Sequence, residues 1–327
     1  MTIYIASRKE DEGILHCSLS ANGQLELLEK IPADRPAFLC RDGNRLYALL
    51  REPFQLMSGL NTYSIGQDGS LSLIGITRST HGLYSAHLYA KEGKIWIANY
   101  IDGTVALLLE NKSSKPVQDK IVAFSGNGPD KTRQLSSHPH CIRPTPDGQY
   151  LCVNDLGTDC IYLLTPDLEL VSVCKLPNGC GPRQLVFSPD GKYGFSSNEL
   201  DSTVSILQYQ NSKLDYIRSV SSLPYAYHGV NSASAISLSA DGSRLYVSNR
   251  GYNNVTVFDR NEDVLSLAGS IPTCGNSPRE FALVGEFLIC GNEHSNNVTV
   301  FTLSNGIPKS PVCDFKVKMP WCILTVD

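Results

Sequence analysis

A β-hairpin with an Asp-Gly or similar turn recurs along the chain, and this repeat constrains the fold more than any other feature. Its clearest copy centres on Pro146-Asp147-Gly148, with strand-forming residues on both sides. Proline presets φ and glycine accepts a positive φ, so these residues favour a tight connection between two strands. The same pattern predicts further hairpins at Asp42-Gly43, Glu92-Gly93, Pro189-Asp190-Gly191, Asp241-Gly242 and Gly285-Glu286.

Each hairpin is followed by a third strand-like run and in most copies by a fourth. The second strand ends in asparagine in five copies, at Asn99, Asn154, Asn198, Asn249 and Asn292, so the unit repeats at intervals of roughly 40 to 55 residues. Four short strands at this spacing are typical of a β-propeller. We therefore predict an all-β fold, a seven-bladed β-propeller that forms a single domain over residues 1–327. The polar stretch 111–137, which lengthens the third copy, is predicted to be a loop.

The two ends of the chain are predicted to share the first blade. Ile3–Arg8 look like the second strand of a repeat that lacks its first strand, and Met319–Val326 look like a first strand with nothing after it. The spacing from Asn292 through the chain end and on to Ser7 is about one repeat. We expect the last strand, with Trp321 buried, to complete the first blade, because an open ring would expose two sheet edges.

Composition argues against several classes of protein. The chain is 42% hydrophobic with a formal net charge of −4, so electrostatics gives no reason to expect nucleic acid or an anionic membrane as a partner. It contains no apolar run of about 18 residues that could span a bilayer. The segment at its amino terminus is too short and too polar for a signal peptide. The 11 cysteines lack CxxC spacing and lie mostly in strand-like runs, which indicates reduced thiols in a cytoplasmic protein. The oligomeric state is left open.

Polar residues gather at one end of the predicted hairpins. In a propeller the first strand of each blade lines the central channel and the second runs antiparallel beside it, so the start of one and the end of the other reach the same channel mouth. These positions hold His87 with Asn99 and Tyr100, His140 with Asn154 and Asp155, Arg183 with Asn198 and Glu199, Ala235 with Asn249 and Arg250, and Arg279 with Asn292 and Glu293, joined by Arg8 and Arg51. Such a mixture of acids, bases and cations suits an acid/base site for an anionic substrate.

Each of these residues also has a structural interpretation. A lone histidine at a strand start is more often a hydrogen-bonding group than a catalyst, and repeated asparagines are typical of turn caps. A lone arginine is more often a surface cation. Convergence on one mouth nevertheless favours a functional role for four of them as a group, His140, Arg183, Glu199 and Arg250.

At these residues the chain resembles the lactonase family of seven-bladed propellers, which includes propeller-type 6-phosphogluconolactonases and the fungal 3-carboxy-cis,cis-muconate lactonizing enzyme. The resemblance covers nearly the whole chain. Its most specific motifs are Gly126-Asn127-Gly128-Pro129, Arg133-Gln134, His138-Pro139-His140, Asn154 to Asp159, Gly181-Pro182-Arg183, Asn198-Glu199-Leu200, Ser248-Asn249-Arg250-Gly251 and Ser277-Pro278-Arg279. The chain departs from the family at Ser234-Ala235-Ile236, where relatives commonly carry Ala-Glu-Ile, so we expect one carboxylate to be missing from the mouth.

The resemblance implies a metal-free and cofactor-free active site whose catalytic residues are His140, Glu199, Arg183 and Arg250. The other residues of the predicted mouth that we expect to bind substrate are His87, His138, Asn154, Asp155, Asn249 and Arg279. Lactone hydrolysis needs a base to activate water, cations to hold the developing oxyanion, and an acid for the leaving alkoxide. Either His140 or Glu199 could be the base, and paired arginines can bind a carboxylate or phosphate through parallel hydrogen bonds.

Three functions are consistent with the sequence. The first is hydrolysis of a sugar lactone, 6-phosphogluconolactone, with a small anionic lactone as the partner. The second is a cycloisomerase or hydrolase of another carboxylated lactone, and the third is a propeller that serves only as a binding platform. A serine nucleophile is disfavoured because no Gly-x-Ser-x-Gly motif is present. A metal site built from Glu199, Asn154 and Asn249 is disfavoured because the neighbouring arginines would repel a cation.

Overall fold

The computed structural model describes residues 1–54, 57–111 and 115–326. Within these ranges the regular secondary structure consists of strands, β1 to β28, arranged in seven four-stranded antiparallel sheets. Blades 1 to 3 contain β28 (Pro320–Val326), β1 (Thr2–Ser7), β2 (Ile14–Leu19) and β3 (Leu25–Ile31); β4 (Pro36–Asp42), β5 (Arg45–Phe54), β6 (Met57–Ile65) and β7 (Leu71–Thr77); and β8 (Ser85–Lys91), β9 (Lys94–Asn99), β10 (Thr104–Leu109) and β11 (Val117–Ala123).

The remaining four blades follow in chain order, and each is named here from its innermost strand outward. Blades 4 and 5 contain β12 (Pro139–Pro144), β13 (Leu151–Asp155), β14 (Cys160–Leu164) and β15 (Leu170–Lys175); and β16 (Pro182–Phe187), β17 (Tyr193–Asn198), β18 (Thr203–Gln210) and β19 (Lys213–Ser221). Blades 6 and 7 contain β20 (Ser232–Leu238), β21 (Arg244–Arg250), β22 (Asn254–Asn261) and β23 (Val264–Pro272); and β24 (Pro278–Val284), β25 (Phe287–Asn292), β26 (Asn297–Ser304) and β27 (Ile307–Lys316).

The ring closes through the last strand, as the sequence predicts. β28 pairs antiparallel with β1, with Ile323 opposite Ile5, and Trp321 is buried. Each innermost strand contacts that of the next blade, and β28 contacts both β24 and β4. The fold is therefore a closed seven-bladed β-propeller, and the prediction of ring closure is confirmed.

Apolar side chains fill the space between neighbouring blades. One cluster combines Tyr4 and Ala6 of the first blade with Leu46 and Leu50 of the second, and similar clusters lie around the ring. Burying one large aliphatic or aromatic side chain contributes about 1.5–3 kcal/mol. Because each cluster draws on two blades, the stability of a blade depends on its neighbours.

The prediction that 111–137 is a loop is wrong for part of that stretch, and residues 112–114 lie outside the described ranges. Val117–Ala123 form β11, the outermost strand of the third blade, with Val122 opposite Val105. Most of its residues are exposed because it lies at the rim of the ring, which explains why its apolar pattern is weak. Residues 124–138 do form a loop, and it reaches the channel mouth.

In every blade the innermost strand is interrupted near its start by a register shift. This shift affects which side chains face the site. In six blades one residue has no partner on the second strand, and these residues are Ala37, Ala86, His140, Arg183, Arg279 and Trp321. In the sixth blade Ser234 and Ala235 lie in the shift. A bulge of this kind breaks the alternation of side chains between the two faces of a strand. Side chains at odd and even positions therefore exchange faces of the strand from one side of the bulge to the other.

Candidate active site

The channel opens on one face of the ring into a cavity of about 550 Å³. Every blade contributes to its wall. The lining residues are Arg8, Arg51, Tyr84, Ala86, Tyr100, Arg133, His140, Glu199, Ser232, Arg250, Ser277, Arg279, Glu293, His294 and Trp321. Four of them, Ala86, His140, Arg279 and Trp321, are the bulge residues of their innermost strands. The shared bulge is thus the local structure that turns these side chains towards the mouth.

Glu199 lies at the centre of one wall. It follows the end of β17, and its backbone N–H donates to the carbonyl oxygen of Gly181 at 2.7 Å. Its Oε2 lies 3.0 Å from a terminal nitrogen of Arg250 and 3.1 Å from Nε of Arg183, and Arg133 donates to its Oε1 at 2.7 Å. Nε2 of His140 lies 3.9 Å from Oε2. One buried carboxylate therefore holds three guanidinium groups.

The charges around Glu199 determine its ionisation. Burial alone would raise the pKa of the Glu199 carboxyl, but the charges of Arg250 and Arg183, with a smaller contribution from Arg133, hold this pKa well below its usual range. An opposite charge at this distance favours the ionised form of a carboxyl. Glu199 is therefore a carboxylate at neutral pH and has no proton to donate.

His140 shows the opposite behaviour to an ordinary surface histidine. Burial, followed by the charge of Arg183, lowers the pKa of His140 well below the ordinary histidine value of 6.5, although Glu199 acts in the other direction. Its imidazole is therefore neutral at neutral pH. Nδ1 of His140 is buried and has no hydrogen-bond partner among the described residues. A neutral imidazole at the wall of a cavity is able to accept a proton.

Arg183 lies one layer deeper than Arg250. Its side chain is 3% exposed and is absent from the cavity wall, whereas that of Arg250 is 16% exposed and lines the cavity. Burial, together with the nearby charge of Arg250, lowers the pKa of Arg183. Of the two arginines that the sequence predicts at the site, only Arg250 reaches the cavity surface.

A second group of arginines surrounds Trp321 on another part of the wall. The guanidinium carbon of Arg279 lies 3.6 Å from the centre of the indole ring, that of Arg8 4.6 Å and that of Arg51 5.0 Å. Arg279 also lies 3.4 Å from a carboxylate oxygen of Glu293. With Arg133 and Arg250, five arginines line this mouth beside two glutamates, and Arg183 lies behind the wall. A chain with a net charge of −4 thus carries a strongly cationic cavity, which attracts anions.

His87 lies away from the mouth, contrary to the expectation that it would join the other predicted residues there. It follows the bulge residue Ala86, and it lines a different cavity of about 470 Å³ in the channel. Its ring lies 4.1 Å from that of Phe38, and burial holds its pKa well below the usual range. Its substrate-binding role is not supported by this position, because the bulge places Ala86 and not His87 at the mouth.

Asp155, Asn154 and Asn249 are fully buried and do not line the mouth cavity. Asp155 accepts hydrogen bonds from the hydroxyl of Ser137 and from the backbone N–H groups of His138 and Gly157. The side chain of Asn154 donates to Ser196 at 2.9 Å, and Oδ1 of Asn249 accepts from Ser222 at 2.7 Å. These bonds fix backbone segments beside the site and place the three side chains as supports, not as substrate contacts.

His138 supports the wall from behind. Its ring stacks on Tyr100 with 4.5 Å between ring centres, and its Nδ1 lies 2.8 Å from the backbone oxygen of Tyr100. Tyr100 lines the cavity and accepts a hydrogen bond from Arg133 at 3.2 Å. Arg279, in contrast, lies at the wall where it was expected.

Arg133 is a functional candidate that reasoning from strand positions missed, because it lies in the loop 124–138. Asp130 accepts hydrogen bonds from the backbone N–H groups of Thr132 and Arg133, which forms a tight turn. The buried Gln134 donates to the carbonyl oxygen of Leu156 and to Asp159 at 2.8 and 2.7 Å. The family resemblance did signal this segment, through the motifs Gly126-Asn127-Gly128-Pro129 and Arg133-Gln134.

Ala235, where a carboxylate was expected to be missing from the mouth, lines neither the mouth nor the channel cavity and packs with Tyr246 and Phe281 in the apolar cluster between the sixth and seventh blades. In the seventh blade the residue after the bulge is Glu280, which lines the same 470 Å³ cavity as His87. Its carboxyl accepts a hydrogen bond from Gln184 at 3.0 Å, and burial raises its pKa. The interior therefore contains a carboxyl group, supplied by the blade next to that of Ala235.

The described residues also bear on metal binding, membrane spanning and thiol chemistry. Within residues 1–54, 57–111 and 115–326, no three His, Cys, Asp or Glu side chains come together in a group that could hold a metal ion. Over the same ranges no helix is long and apolar enough to cross a membrane. The 11 cysteines are all free thiols, and most are buried.

Comparison with known proteins places the chain among lactonases. The profile of the family described as "Lactonase, 7-bladed beta-propeller" matches residues 2–325. A 6-phosphogluconolactonase of Formosa agariphila is 31% identical over 301 residues, which covers 86% of this chain and 85% of that protein. A Staphylococcus epidermidis protein without an assigned function is 31% identical over 339 residues, with 96% of each chain covered.

Solved structures agree with the sequence comparisons. A Bacteroides fragilis protein with the provisional description 6-phosphogluconolactonase superposes with a TM-score of 0.91 and 28% identity, covering 100% of this chain and 98% of that chain. A Lactobacillus plantarum protein superposes with a TM-score of 0.90 and 29% identity, covering 100% of both chains. The chain therefore belongs to the lactonase family of seven-bladed β-propellers and is a lactone-hydrolysing enzyme.

Proposed function

We propose that the chain hydrolyses the sugar lactone 6-phosphogluconolactone to 6-phosphogluconate by metal-free acid/base catalysis at the channel mouth. The observation that carries this proposal is the neutral His140 beside Glu199, a carboxylate that three arginines keep ionised at the wall of a cationic cavity. Membership of the lactonase family supports the reaction type. The name of the Formosa agariphila relative supports the substrate, and the excess of arginine supports its negative charge.

His140 is the general base in this proposal. It takes a proton from water, and the water oxygen forms a bond to the carbonyl carbon of the lactone. The alternative base, Glu199, is less suited because its low pKa makes it a weak proton acceptor. We assign Glu199 to holding Arg250 and Arg183 and to orienting His140, whose Nε2 lies 3.9 Å from its Oε2.

Arg250 stabilises the charge that develops on the carbonyl oxygen. It lines the cavity and lies 3.0 Å from Glu199, so its orientation is set before the substrate binds, which is the condition for strong electrostatic stabilisation. The bond between the carbonyl carbon and the ring oxygen then breaks. The protonated His140 returns its proton to the leaving alkoxide, and the product acid ionises, so each turnover releases one proton to solution.

Measurement of acid release from 6-phosphoglucono-δ-lactone tests this proposal. We expect the wild-type chain to exceed the spontaneous rate clearly, and His140→Gln to lose most of the enzymatic rate, because a glutamine side chain cannot act as a base. His81→Gln is the matched control, because His81 is exposed. A wild-type rate no greater than the spontaneous rate at high enzyme concentration would reject the substrate.

Chelation tests the metal-free part of the mechanism. We expect full activity after dialysis against EDTA, because the arginines around Glu199 leave no cluster of carboxylates for a divalent cation among the described residues. Loss of activity in EDTA that is restored by calcium or magnesium would assign the protein to a metal-dependent mechanism.

A further inference from the structure

We propose that Arg8, Arg51 and Arg279, gathered around Trp321, form a second anion subsite that binds the phosphoryl group of a phosphorylated lactone. The inference rests on the proposed function for the lactone end of the substrate, and it adds the direction in which the substrate lies in the mouth. The lactone carbonyl faces His140 and Arg250, and the phosphoryl group faces Trp321.

The three guanidinium groups converge on one aromatic ring. Their central carbons lie 3.6 Å, 4.6 Å and 5.0 Å from the centre of the Trp321 indole, and all four side chains line the same cavity. Cation–π attraction stabilises each guanidinium against the ring and is larger where water is partly excluded. Three cationic groups gathered around one ring form an electrostatically favourable place for a doubly charged anion.

Contact between a guanidinium and an aromatic ring is compatible with phosphate recognition. A guanidinium that stacks on a ring contacts it through its flat face, so the N–H groups in its plane point sideways. Those groups have the fork geometry that matches phosphate oxygens. Glu293 lines the same wall and lies 3.4 Å from Arg279.

The order of the blades places Trp321 and Arg8, the centre of this subsite, across the mouth from His140 and Glu199, whereas Arg279 lies on the blade next to that of Arg250. Trp321 and Arg8 belong to the first blade, and Arg51 and Arg279 belong to its neighbours, the second and the seventh. His140 and Glu199 belong to the fourth and fifth blades. In a closed ring of seven, the first blade faces the fourth and fifth. A hexonolactone phosphorylated at its terminal carbon carries its carbonyl and phosphoryl groups at opposite ends, which fits this arrangement.

The ion pairs that Arg250 and Arg183 form with Glu199 also favour placing the phosphoryl group at Trp321. Both lie within 3.1 Å of a Glu199 oxygen, so a phosphoryl group bound there would meet a buried carboxylate, and like charges would repel. The phosphoryl group is therefore better accommodated at Trp321. A carbonyl oxygen, which carries a full charge only in the transition state, suits the position beside Arg250.

The test compares two lactones that differ only in the phosphoryl group, 6-phosphoglucono-δ-lactone and glucono-δ-lactone. We expect Arg51→Gln and Arg8→Gln each to lower the ratio of the two kcat/KM values by about 10- to 100-fold, the size of one or two lost charge-assisted hydrogen bonds. The loss should appear mainly as a higher KM for the phosphorylated lactone. Arg51→Lys should restore part of the ratio, because an ammonium keeps the charge without the fork.

Arg218→Gln is the matched control for the loss of one positive charge. Arg218 lies on β19 and pairs with Asp263 at 2.7 Å on the outside of the fifth blade, with a side chain that is 42% exposed. We expect it to leave the ratio unchanged. An equal fall in kcat/KM for both lactones in Arg51→Gln and Arg8→Gln would overturn the subsite, as would a wild-type chain that hydrolyses both lactones equally well.

Calorimetry separates the subsite from the reaction. The probes are 6-phosphogluconate and gluconate, and neither needs turnover. We expect the wild-type chain to bind 6-phosphogluconate at least tenfold more tightly than gluconate, and Arg51→Gln to lose that preference. This result would support the subsite even if neither lactone were hydrolysed, whereas equal affinity for the two probes would overturn it even in an active lactonase.

Discussion

Arg250 and Glu199 lie 3.0 Å apart, yet their removal should have opposite consequences for stability. Five arginines line the mouth beside two glutamates, with Arg183 behind them, so the loss of one arginine relieves repulsion. The loss of Glu199 removes the carboxylate that compensates three buried or half-buried cations. The same cluster therefore contains groups retained for function and a group that also stabilises the fold.

We predict that Arg250→Ala lowers kcat/KM by about 10²-fold or more, the scale of one lost oxyanion donor. Arg250→Lys should recover only part of this loss, because an ammonium lacks the planar fork. The melting temperature should hold or rise, since Arg183 and Arg133 still pair with Glu199. Kinetics and thermal unfolding on the same preparations check both parts. A destabilised but fully active Arg250→Ala protein would mean that the arginine braces the blades.

We predict that Glu199→Gln destabilises the protein while keeping the side-chain shape. Breaking a buried ion pair by removal of one partner costs about 3–5 kcal/mol, because the other charge is left uncompensated. The melting temperature of Glu199→Gln should therefore fall well below that of Arg250→Ala. Equal melting temperatures for the two variants would contradict the account in which Glu199 is the shared counterion.

We predict that the acid limb of the kcat/KM profile lies below pH 6.5. The neutral form of His140 is the active one, and its pKa in the folded protein is lower than the ordinary histidine value of 6.5. The base form therefore persists as the pH falls through the range in which an ordinary histidine becomes protonated. A pH-rate profile in constant ionic strength checks this. A limb at or above pH 6.5 would assign the limiting group to something other than His140.

At the scale of elements, the loop 124–138 connects the outermost strand of the third blade to the site. Its turn at Asp130 sets the backbone of Arg133, and the next residue, Gln134, is buried and bonded to Leu156 and Asp159. Asp159 in turn accepts from the backbone N–H groups of Gly179 and Gly181. The loop is thus fixed to two neighbouring blades, which allows an irregular segment to place a side chain at the site.

We predict that Gln134→Ala lowers both stability and activity. The substitution leaves the buried oxygens of Leu156 and Asp159 with fewer donors, at a cost of about 1–3 kcal/mol for each buried group left unsatisfied. It also loosens the backbone of Arg133, which donates to Glu199 at 2.7 Å. Gln149→Ala, in an exposed turn, is the control and should match the wild type in melting temperature and kcat/KM. An unchanged Gln134→Ala protein would show that the loop is held by other contacts.

At the scale of the whole molecule, closure of the ring is the property on which stability depends. β28 pairs with β1 and contacts the innermost strands of both neighbouring blades. Its side chains Trp321, Cys322 and Ile323 are buried. Removing this strand would therefore uncover two blade-to-blade clusters and two sheet edges.

We predict that deletion of Pro320 to Asp327 abolishes the folded state. Each large apolar side chain that loses its burial costs about 1.5–3 kcal/mol, and the total stability of a domain is about 5–15 kcal/mol. Solubility and thermal unfolding of the truncated protein check the prediction, with Trp321→Ala as a control that changes the mouth but keeps the strand. A truncated protein as soluble and heat-stable as the parent would contradict the closure account.

Local signals in the sequence were enough for the architecture. Turns such as Pro146-Asp147-Gly148 fix where strands reverse, and the regular spacing of the repeats fixes the number of blades. The match between the two chain ends fixes the closure at β28. These features depend on residues close together in sequence or on the number of residues between successive repeats. The gathering of His140, Glu199, Arg183 and Arg250 follows from the same reasoning, because the ends of paired strands must meet at one mouth. The catalytic roles of these four residues stay a prediction.

The tertiary structure decided which neighbouring residue faces the mouth. A strand alternates its side chains with a period of two, and one bulge exchanges the faces. Hence Ala86 lies at the mouth and His87 in the channel interior, although the two are adjacent in sequence. The position of Arg133 likewise depends on a loop held by distant groups such as Asp159. The positions of Ala86 and Arg133 depend on contacts between segments far apart in the chain, so no local sequence pattern predicts them. The repeat, in contrast, can be recognised directly from the order of the residues.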